Sequence, residues 1–232
     1  AFYNLENLFD TINDINKDDE KSPIMEIKYN RGEIYKKKLA NMAKVISEIG
    51  TDSNKRPPSI IGICEIENRG VVEDLISHEN LSNYNYSFVH YDSPDKRGID
   101  VALIYNTDIF EVINSKSHEL YITYNNTSER SYTRDQLVVS GKLDGELLHL
   151  IVNHWPSRGA DETKRIAAAK VNKSIIDSLR EIYKNPKIIT MGDFNDDPFD
   201  KSIKQVIGTK KYIKDVRKDD MYNPFEKILV DD

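Results

Sequence analysis

The chain has 232 residues, 38% apolar and 31% charged, a length and balance that suit one large globular domain or two small ones and exclude disorder. Lys and Arg total 33 against 39 Asp and Glu, a formal net charge of -6 that excludes a generally basic nucleic-acid coat but leaves room for a locally basic cleft. No apolar run approaches the roughly 18 to 20 residues of a membrane span, and the single cysteine, Cys64, excludes an intrachain disulfide or a multi-cysteine zinc site.

The chain opens on Ala1-Phe2-Tyr3 with no visible targeting segment, so the compartment stays open between cytoplasm and export. The polar stretch Asn13 to Lys21 reads as a loop or a mobile insertion. Leu39, Met42, Ala43, Ile46 and Ile49 recur at helical spacing and predict a helix over Glu33 to Ile49, stopped by Gly50. Ser59 to Cys64 is a short apolar run of the kind buried on both faces, followed by a short helix over Val71 to Ser77. Tyr84 to Tyr91, Val101 to Tyr105, Phe110 to Ile113 and Gln136 to Lys142 read as members of an antiparallel set. Leu143-Asp144-Gly145-Glu146 is a hairpin turn into a strand over Leu147 to Asn153. Ile166, Ala169, Ile175, Ile176, Leu179 and Ile182 predict a helix over Asp161 to Tyr183, ended by Asn185-Pro186. Lys187 to Met191 reads as a second doubly buried strand, and Ile228 to Asp232 as a strand with nothing after it. Together these predict an α/β sandwich of mixed sheets with outer helices around one core. The ends suggest that residues 1–232 are a single domain truncated at both termini.

Polar residues fall at the ends of the apolar runs. Asn4 follows Ala1-Phe2-Tyr3, Glu65 follows Ile60 to Cys64, His154 follows Leu148 to Asn153, and Asp193 and Asn195 follow Ile188 to Gly192. Asp100 precedes Val101 to Ile104, which is the same sheet end if that strand runs antiparallel. Rigid strand ends hold side chains where chemistry needs them. Carboxylates, amides and an imidazole meeting there would form an oxygen-rich pocket suited to Mg²⁺ or Mn²⁺ rather than zinc or copper. Taken singly each has a plainer reading: a turn Asn, an ion-paired Glu, a packed His beside Trp155, a turn at Gly192 to Pro198.

Five segments in order resemble the endonuclease/exonuclease/phosphatase superfamily, which includes pancreatic deoxyribonuclease, abasic-site endonucleases, inositol polyphosphate 5-phosphatases and bacterial neutral sphingomyelinases. They are Tyr3-Asn4-Leu5-Glu6-Asn7-Leu8-Phe9-Asp10, Gly62-Ile63-Cys64-Glu65-Ile66-Glu67-Asn68, Arg97-Gly98-Ile99-Asp100-Val101-Ala102, Asn153-His154-Trp155-Pro156-Ser157-Arg158 and Gly192-Asp193-Phe194-Asn195-Asp196-Asp197-Pro198. The extended forms look most like an uncharacterised bacterial branch. The resemblance implies a four-layered α/β sandwich of two mixed β-sheets flanked by helices, like deoxyribonuclease I. It also implies hydrolysis of phosphodiesters or phosphomonoesters with Mg²⁺, or alternatively Mn²⁺. Glu65 is then the principal metal ligand, and Asn4 lies beside metal and phosphate. His154 donates to a phosphate oxygen or assists the leaving group. Asp193 orients water or joins the metal shell, and Asn195 holds the scissile phosphate.

Arg97, Arg134 and Arg158 are candidate phosphate clamps, since guanidinium binds phosphate through two hydrogen bonds; a surface ion pair is the plainer reading for each. Three departures stand out. The Ser-Asp-His segment that closes the family's pattern does not follow Asp232, so the chain as read lacks the usual general base. Glu67, two residues after Glu65, offers a second carboxylate and a possible second metal. Disulfides of the secreted nuclease are impossible, and no disulfide-linked partner is expected.

The expected function is a metal-dependent nuclease acting as a monomer. Lys36-Lys37-Lys38, Lys210-Lys211, Lys214, Arg217 and Lys218 are available to phosphates or simply form solvated faces. Alternatives are a phosphatase, a phospholipid or sphingomyelin phosphodiesterase, and, in another class, an inactive phosphate-binding interaction module.

Overall fold

In the computed structural model, which describes residues 1–124 and 127–231, strands β1 (Phe2–Leu8) and β2 (Ile60–Ile66) run parallel. Between them lie helix α1 (Arg31–Glu48) and the single turn α2 (Thr51–Asn54). Helix α3 (Arg69–Ser77) follows, then β3 (Tyr86–His90) and β4 (Asp100–Asn106), and the first sheet has the order β1-β2-β4-β3. After β5 (Phe110–His118) come the two-residue strands β6 (Ile122–Thr123) and β7 (Arg130–Ser131), then β8 (Gln136–Leu143) and β9 (Glu146–His154). Helix α4 (Glu162–Ile182) leads to β10 (Lys187–Asp193), and the second sheet has the order β10-β9-β8-β5. Each sheet joins a parallel pair, β1 with β2 or β9 with β10, to two antiparallel neighbours, so both are mixed.

Contacts divide the chain into two compact units. The first contains Ala1–Glu119, Ser131–His154 and Lys187–Asp193, and thus both sheets. Period-2 alternation explains how its layers form. In β2, Ile61 and Ile63 point to one face, where they pack with Leu39, Met42 and Ala43 of α1 and Val71, Val72 and Leu75 of α3. Cys64 of β2, with Val101 and Leu103 of β4, points to the other face and meets Leu137, Val139, Leu148, Leu150 and Val152 of the second sheet. Helices, sheet and sheet therefore stack as three layers. The hairpin between β8 and β9 turns on Asp144 (φ 50°) and Gly145 (φ 82°), the left-handed pair a tight two-residue turn requires.

The second unit contains Leu120–Arg130, Trp155–Pro186 and Phe194–Asp232. Asp161 caps α4 through its side chain, and the helix buries Ala168, Ala169, Ile175, Ile176 and Leu179. It packs on the wide helical turn Ser202–Ile207. Strands β11 (Thr209–Lys210) and β12 (Met221–Tyr222) pair in parallel, and α5 (Phe225–Asp231) follows.

Several expectations need correction. Lys187 to Met191 is not buried on both faces: β10 is an edge strand, and Ile189 is 47% exposed. Ile182 belongs to the periodic stripe of α4 but lies in its last residue, past the buried turns, and is 71% exposed. Residues Ile228 to Asp231 are helical rather than extended, because Asn223 Oδ1 accepts the Phe225 amide and starts a helix; Asp232 lies outside the described residues. The antiparallel set is split between the two sheets, β3 and β4 in one and β5 and β8 in the other. The loop Asn13 to Lys21 is tied down. Asp14 N donates to Asp19 Oδ2 at 2.8 Å, Asp18 N to the Lys96 carbonyl at 2.7 Å, and Lys17 Nζ to the Ser93 carbonyl at 3.1 Å.

Candidate active site

Backbone irregularities at the strand ends place the site. The pairing of β2 with β4 shifts register between Cys64 and Ile66, and Glu65 in the bulge has φ 59°. A non-glycine residue held there stores of order 1–3 kcal/mol, which the packed sheet on either side must offset. In β1 the register shifts between Asn4 and Leu8, where Glu6 (φ 50°) and Asn7 (φ 59°) are both left-handed. Lys38 of α1 reaches this bulge and donates to the carbonyls of Glu6 and Asn7. On the second sheet His154 and Asp193 are register partners. Gly192 (φ 151°) precedes Asp193, and a Cβ there would lie 2.2 Å from the Asn153 carbonyl oxygen, so only glycine lets β10 approach β9 at this point.

One carboxylate oxygen each from Glu65 and Asp193 and one ring nitrogen of His154 all lie within 4.8 Å of one another. Asn4 bridges the carboxylates, its Nδ2 donating to Glu65 Oε1 at 3.0 Å and to Asp193 Oδ2 at 3.1 Å. Its Oδ1 accepts the Glu6 amide at 2.8 Å, so the amide turns its nitrogen, not its oxygen, toward the cluster. That placement makes Asn4 a donor to the carboxylates where the resemblance set it beside a metal. His154 Nε2 stands 3.7 Å from Glu65 Oε1, and its buried Nδ1 meets no hydrogen-bond partner among the described residues. Burial, with the Arg134 and Arg97 guanidiniums adding to it, lowers the His154 pKa to about 2, so the imidazole is neutral at working pH.

The arginines fall differently. Asp95, itself buried, accepts from Arg134 Nη1 at 3.2 Å and from Arg97 Nε at 3.3 Å. Arg134 is 5% exposed, whereas the Arg97 side chain is 55% exposed. Asp100 does lie at the same sheet end, since it pairs with Ile66, but its carboxylate takes His90 Nε2 at 3.0 Å and the Ser93 amide at 2.8 Å. His90, Asp92 and Asp100 form a second group with ligand atoms within 4.8 Å. Glu67 Oε2 accepts the Asp10 amide at 2.7 Å, and burial, then Asp10 and Asp19, push its carboxyl up to about 8.

Within the second unit, Asn195 (φ 51°) donates from Nδ2 to the Trp155 carbonyl at 3.0 Å. Arg158 is paired with Asp197 at 2.8 Å and Asp200 at 2.7 Å, and its Nε donates to the Asn195 carbonyl. Two residues escaped the sequence reading. Arg165 joins Asp196 Oδ1 at 2.5 Å to the carbonyls of Ser157 and Ala160, fastening the segment that follows His154 to the one that follows Asp193. Lys38 looked like one lysine of a solvated run, although its spacing from Leu39 and Met42 would have put it at the border of the buried face.

The donor set of carboxylate oxygens and one imidazole suits a hard divalent cation. A profile described as Endonuclease/Exonuclease/phosphatase family matches residues 1–232. The chain belongs to that family. Its members act on phosphoester bonds and are typically divalent-metal dependent. A comparison with curated proteins found no match. Among solved structures, the human Nocturnin catalytic domain with bound sulfate is 18% identical, TM-score 0.53, with 71% of this chain and 60% of that one covered. ANGEL2, described as a 2′,3′-cyclic phosphatase, is 13% identical, TM-score 0.55, with coverage of 83% and 50%. The Bacteroides thetaiotaomicron mannosyl-6-phosphatase is 17% identical, TM-score 0.54, with coverage of 77% and 65%. The chain thus spans 50 to 65% of the length of these structures, and at such identities the likeness is one of fold. That fold is the deoxyribonuclease-like α/β sandwich with two mixed sheets. No helix among the described residues is long and apolar enough to cross a membrane.

Proposed function

We propose that this chain hydrolyses phosphodiester bonds with the help of a divalent cation, Mg²⁺ or Mn²⁺, and that its substrate is nucleic acid. The meeting of Glu65, Asp193 and His154 within 4.8 Å, from strands of two sheets, carries the reading. Glu65 and Asp193 would hold the cation. When bound, it supplies charge to the phosphate oxygens and acidifies a water. Asn4 keeps the two carboxylates facing one side by donating to both. Asp193 also orients the attacking water. The neutral imidazole of His154 presents one N–H to a phosphate oxygen, a donor that stays in place because it is buried and held by β9. Arg97, half-exposed, supplies guanidinium to a flanking phosphate, and Arg134 serves through the shared Asp95. Nucleic acid is favoured by Tyr132, 44% exposed with Lys96 Nζ over its ring 5.7 Å from the centroid, an aromatic and a cation side by side of the kind a single strand uses.

Hydrolysis of bis(p-nitrophenyl) phosphate and of single-stranded DNA and RNA by the full-length chain tests this, with EDTA and after return of Mg²⁺ or Mn²⁺. Activity abolished by EDTA and restored by either ion is expected. Activity indifferent to chelation overturns the metal. Turnover of sugar phosphomonoesters alone overturns the nuclease, and turnover of no phosphoester leaves a binding module.

A further inference from the structure

The loop between β11 and β12 carries a basic run that takes no part in the Glu65 cluster. Residues 211–219 hold four cations, Lys211, Lys214, Arg217 and Lys218, against two carboxylates, Asp215 and Asp219, in a chain whose net charge is -6. The loop is firmly built. Asp215 N donates to the Tyr212 carbonyl at 3.0 Å and Val216 N to the Ile213 carbonyl at 3.1 Å, which makes one tight helical turn. Asp220 N closes a second turn on the Arg217 carbonyl at 3.1 Å. Arg180 of α4 donates to the carbonyls of Asp219 and Asp220 at 2.8 and 2.9 Å and ties the loop to the helix. All of these residues belong to the second unit.

Charge pairing stops at the base of the loop. Lys210 meets Asp220 Oδ1 at 3.5 Å, and the Arg217 amide donates to Asp220 Oδ2 at 3.0 Å, so that carboxylate is occupied. Lys214, Arg217 and Lys218 are exposed, and among the described residues their side chains form no salt bridge or hydrogen bond. The ammonium groups of Lys211 and Lys214 converge on the ring of Tyr212, 5.4 and 5.6 Å from its centroid, and Tyr212 is 44% exposed. The ring attracts each cation and so offsets part of the repulsion between them. Positive charge is thereby gathered at one exposed place on an acidic chain, the footprint a polyanion backbone fits, since each phosphate neutralised by Lys or Arg releases counterions. A lipid surface fits less well. An interfacial anchor buries a continuous apolar face, whereas this loop offers Ile213, 72% exposed, and a half-buried Val216.

We propose that the β11–β12 loop is a secondary binding surface for nucleic acid, in which Lys211, Lys214, Arg217 and Lys218 contact the phosphate backbone and Tyr212 holds two of these cations in place. The choice of nucleic acid among polyanions rests on the function proposed above. The surface would add affinity for a long substrate that a small phosphodiester lacks.

Binding of a fluorescein-labelled oligothymidylate, read by anisotropy in EDTA, tests this without turnover, so the result stands whether or not the chain hydrolyses a phosphoester. A variant combining Lys214→Gln, Arg217→Gln and Lys218→Gln should keep the wild-type thermal midpoint, because none of the three makes a salt bridge. It should bind about tenfold more weakly or worse, and its slope of log affinity against log salt should shrink by about 2, at ~0.7 for each lost phosphate contact. A second variant, Lys36→Gln with Lys37→Gln and Lys44→Gln, removes the same charge from α1 and should keep the wild-type slope. No binding by the wild type, or equal affinity and slope in the wild type and the loop variant, overturns the proposal. Equal losses in both variants overturn it as well, because net charge alone would then explain the binding. Binding of phosphatidylserine vesicles in place of the oligonucleotide makes the loop a membrane contact and overturns it too. Loop-dependent binding in a chain without EDTA-sensitive hydrolysis would support this proposal while the catalytic one fails.

Discussion

His154 Nε2, from the second sheet, lies 3.7 Å from Glu65 Oε1, from the first, although 88 residues separate them in the chain. The pair is too far apart for a strong hydrogen bond and close enough for both to touch one small ligand. Packing of the two sheets through Cys64, Val101, Leu137 and Val152 produces this meeting. Within each sheet parallel pairing sets β1 alongside β2 and β10 alongside β9, so Asn4 ends beside Glu65 and Asp193 beside His154.

Glu65→Gln should weaken Mg²⁺ or Mn²⁺ binding by at least tenfold in calorimetric titration. In EDTA its thermal midpoint should equal or exceed that of the wild type, because the charge facing Asp193 is gone. Identical ion binding by both proteins would remove Glu65 from the metal site.

His154→Ala should lower turnover by roughly 10²-fold, the usual scale for a lost hydrogen-bonding or acid-base group. The same residue shapes acid stability. Its folded pKa, about 2, lies below the unfolded value of 6.5, so between those limits the unfolded chain binds a proton that the fold refuses. Stability is therefore lost as pH falls below 6.5, by up to ~1.4 kcal/mol per pH unit from this group. Urea unfolding at pH 7 and pH 5 in EDTA should show a smaller acid loss in His154→Gln than in the wild type. Equal losses would contradict the burial argument.

Lys38→Met should cost about 1–3 kcal/mol in urea unfolding, since the carbonyls of the left-handed residues Glu6 and Asn7 lose a charged donor. Ion affinity should fall too, because Asn4 is anchored on the Glu6 amide. A variant with unchanged stability would return Lys38 to the solvated face.

Arg165→Met should destabilise by about 3–5 kcal/mol, the range for removing one partner of a buried pair, and Asp196→Asn should cost less because it leaves no bare carboxylate. Calorimetric unfolding of both single variants and the double variant measures the coupling; additive losses would mean the two residues act independently.

Cys64 is fully buried between the sheets, and burial pushes its thiol well above the usual range. Ellman's reagent should therefore leave the native protein unlabelled for hours and label it at once in denaturant. Rapid native labelling would mean that the sheets part readily.

Local chemistry was enough to read α1 and α4 from their apolar spacing, the β8–β9 turn from Asp144-Gly145, and the polar residues closing the strands from where apolar runs stop. These signals act over a few residues and survive without knowledge of the rest of the chain. Tertiary structure alone decided which of those residues meet. It turned the Asn4 nitrogen toward two carboxylates, sealed Arg134 against Asp95 while leaving Arg97 open, and sent Lys38 to a strained bulge. It also left Ile182 and Ile189 in the open, although each belongs to an apolar pattern in the sequence. Charge pairing and burial depend on what packs opposite, and for Glu65 that partner lies on the other sheet, far along the chain.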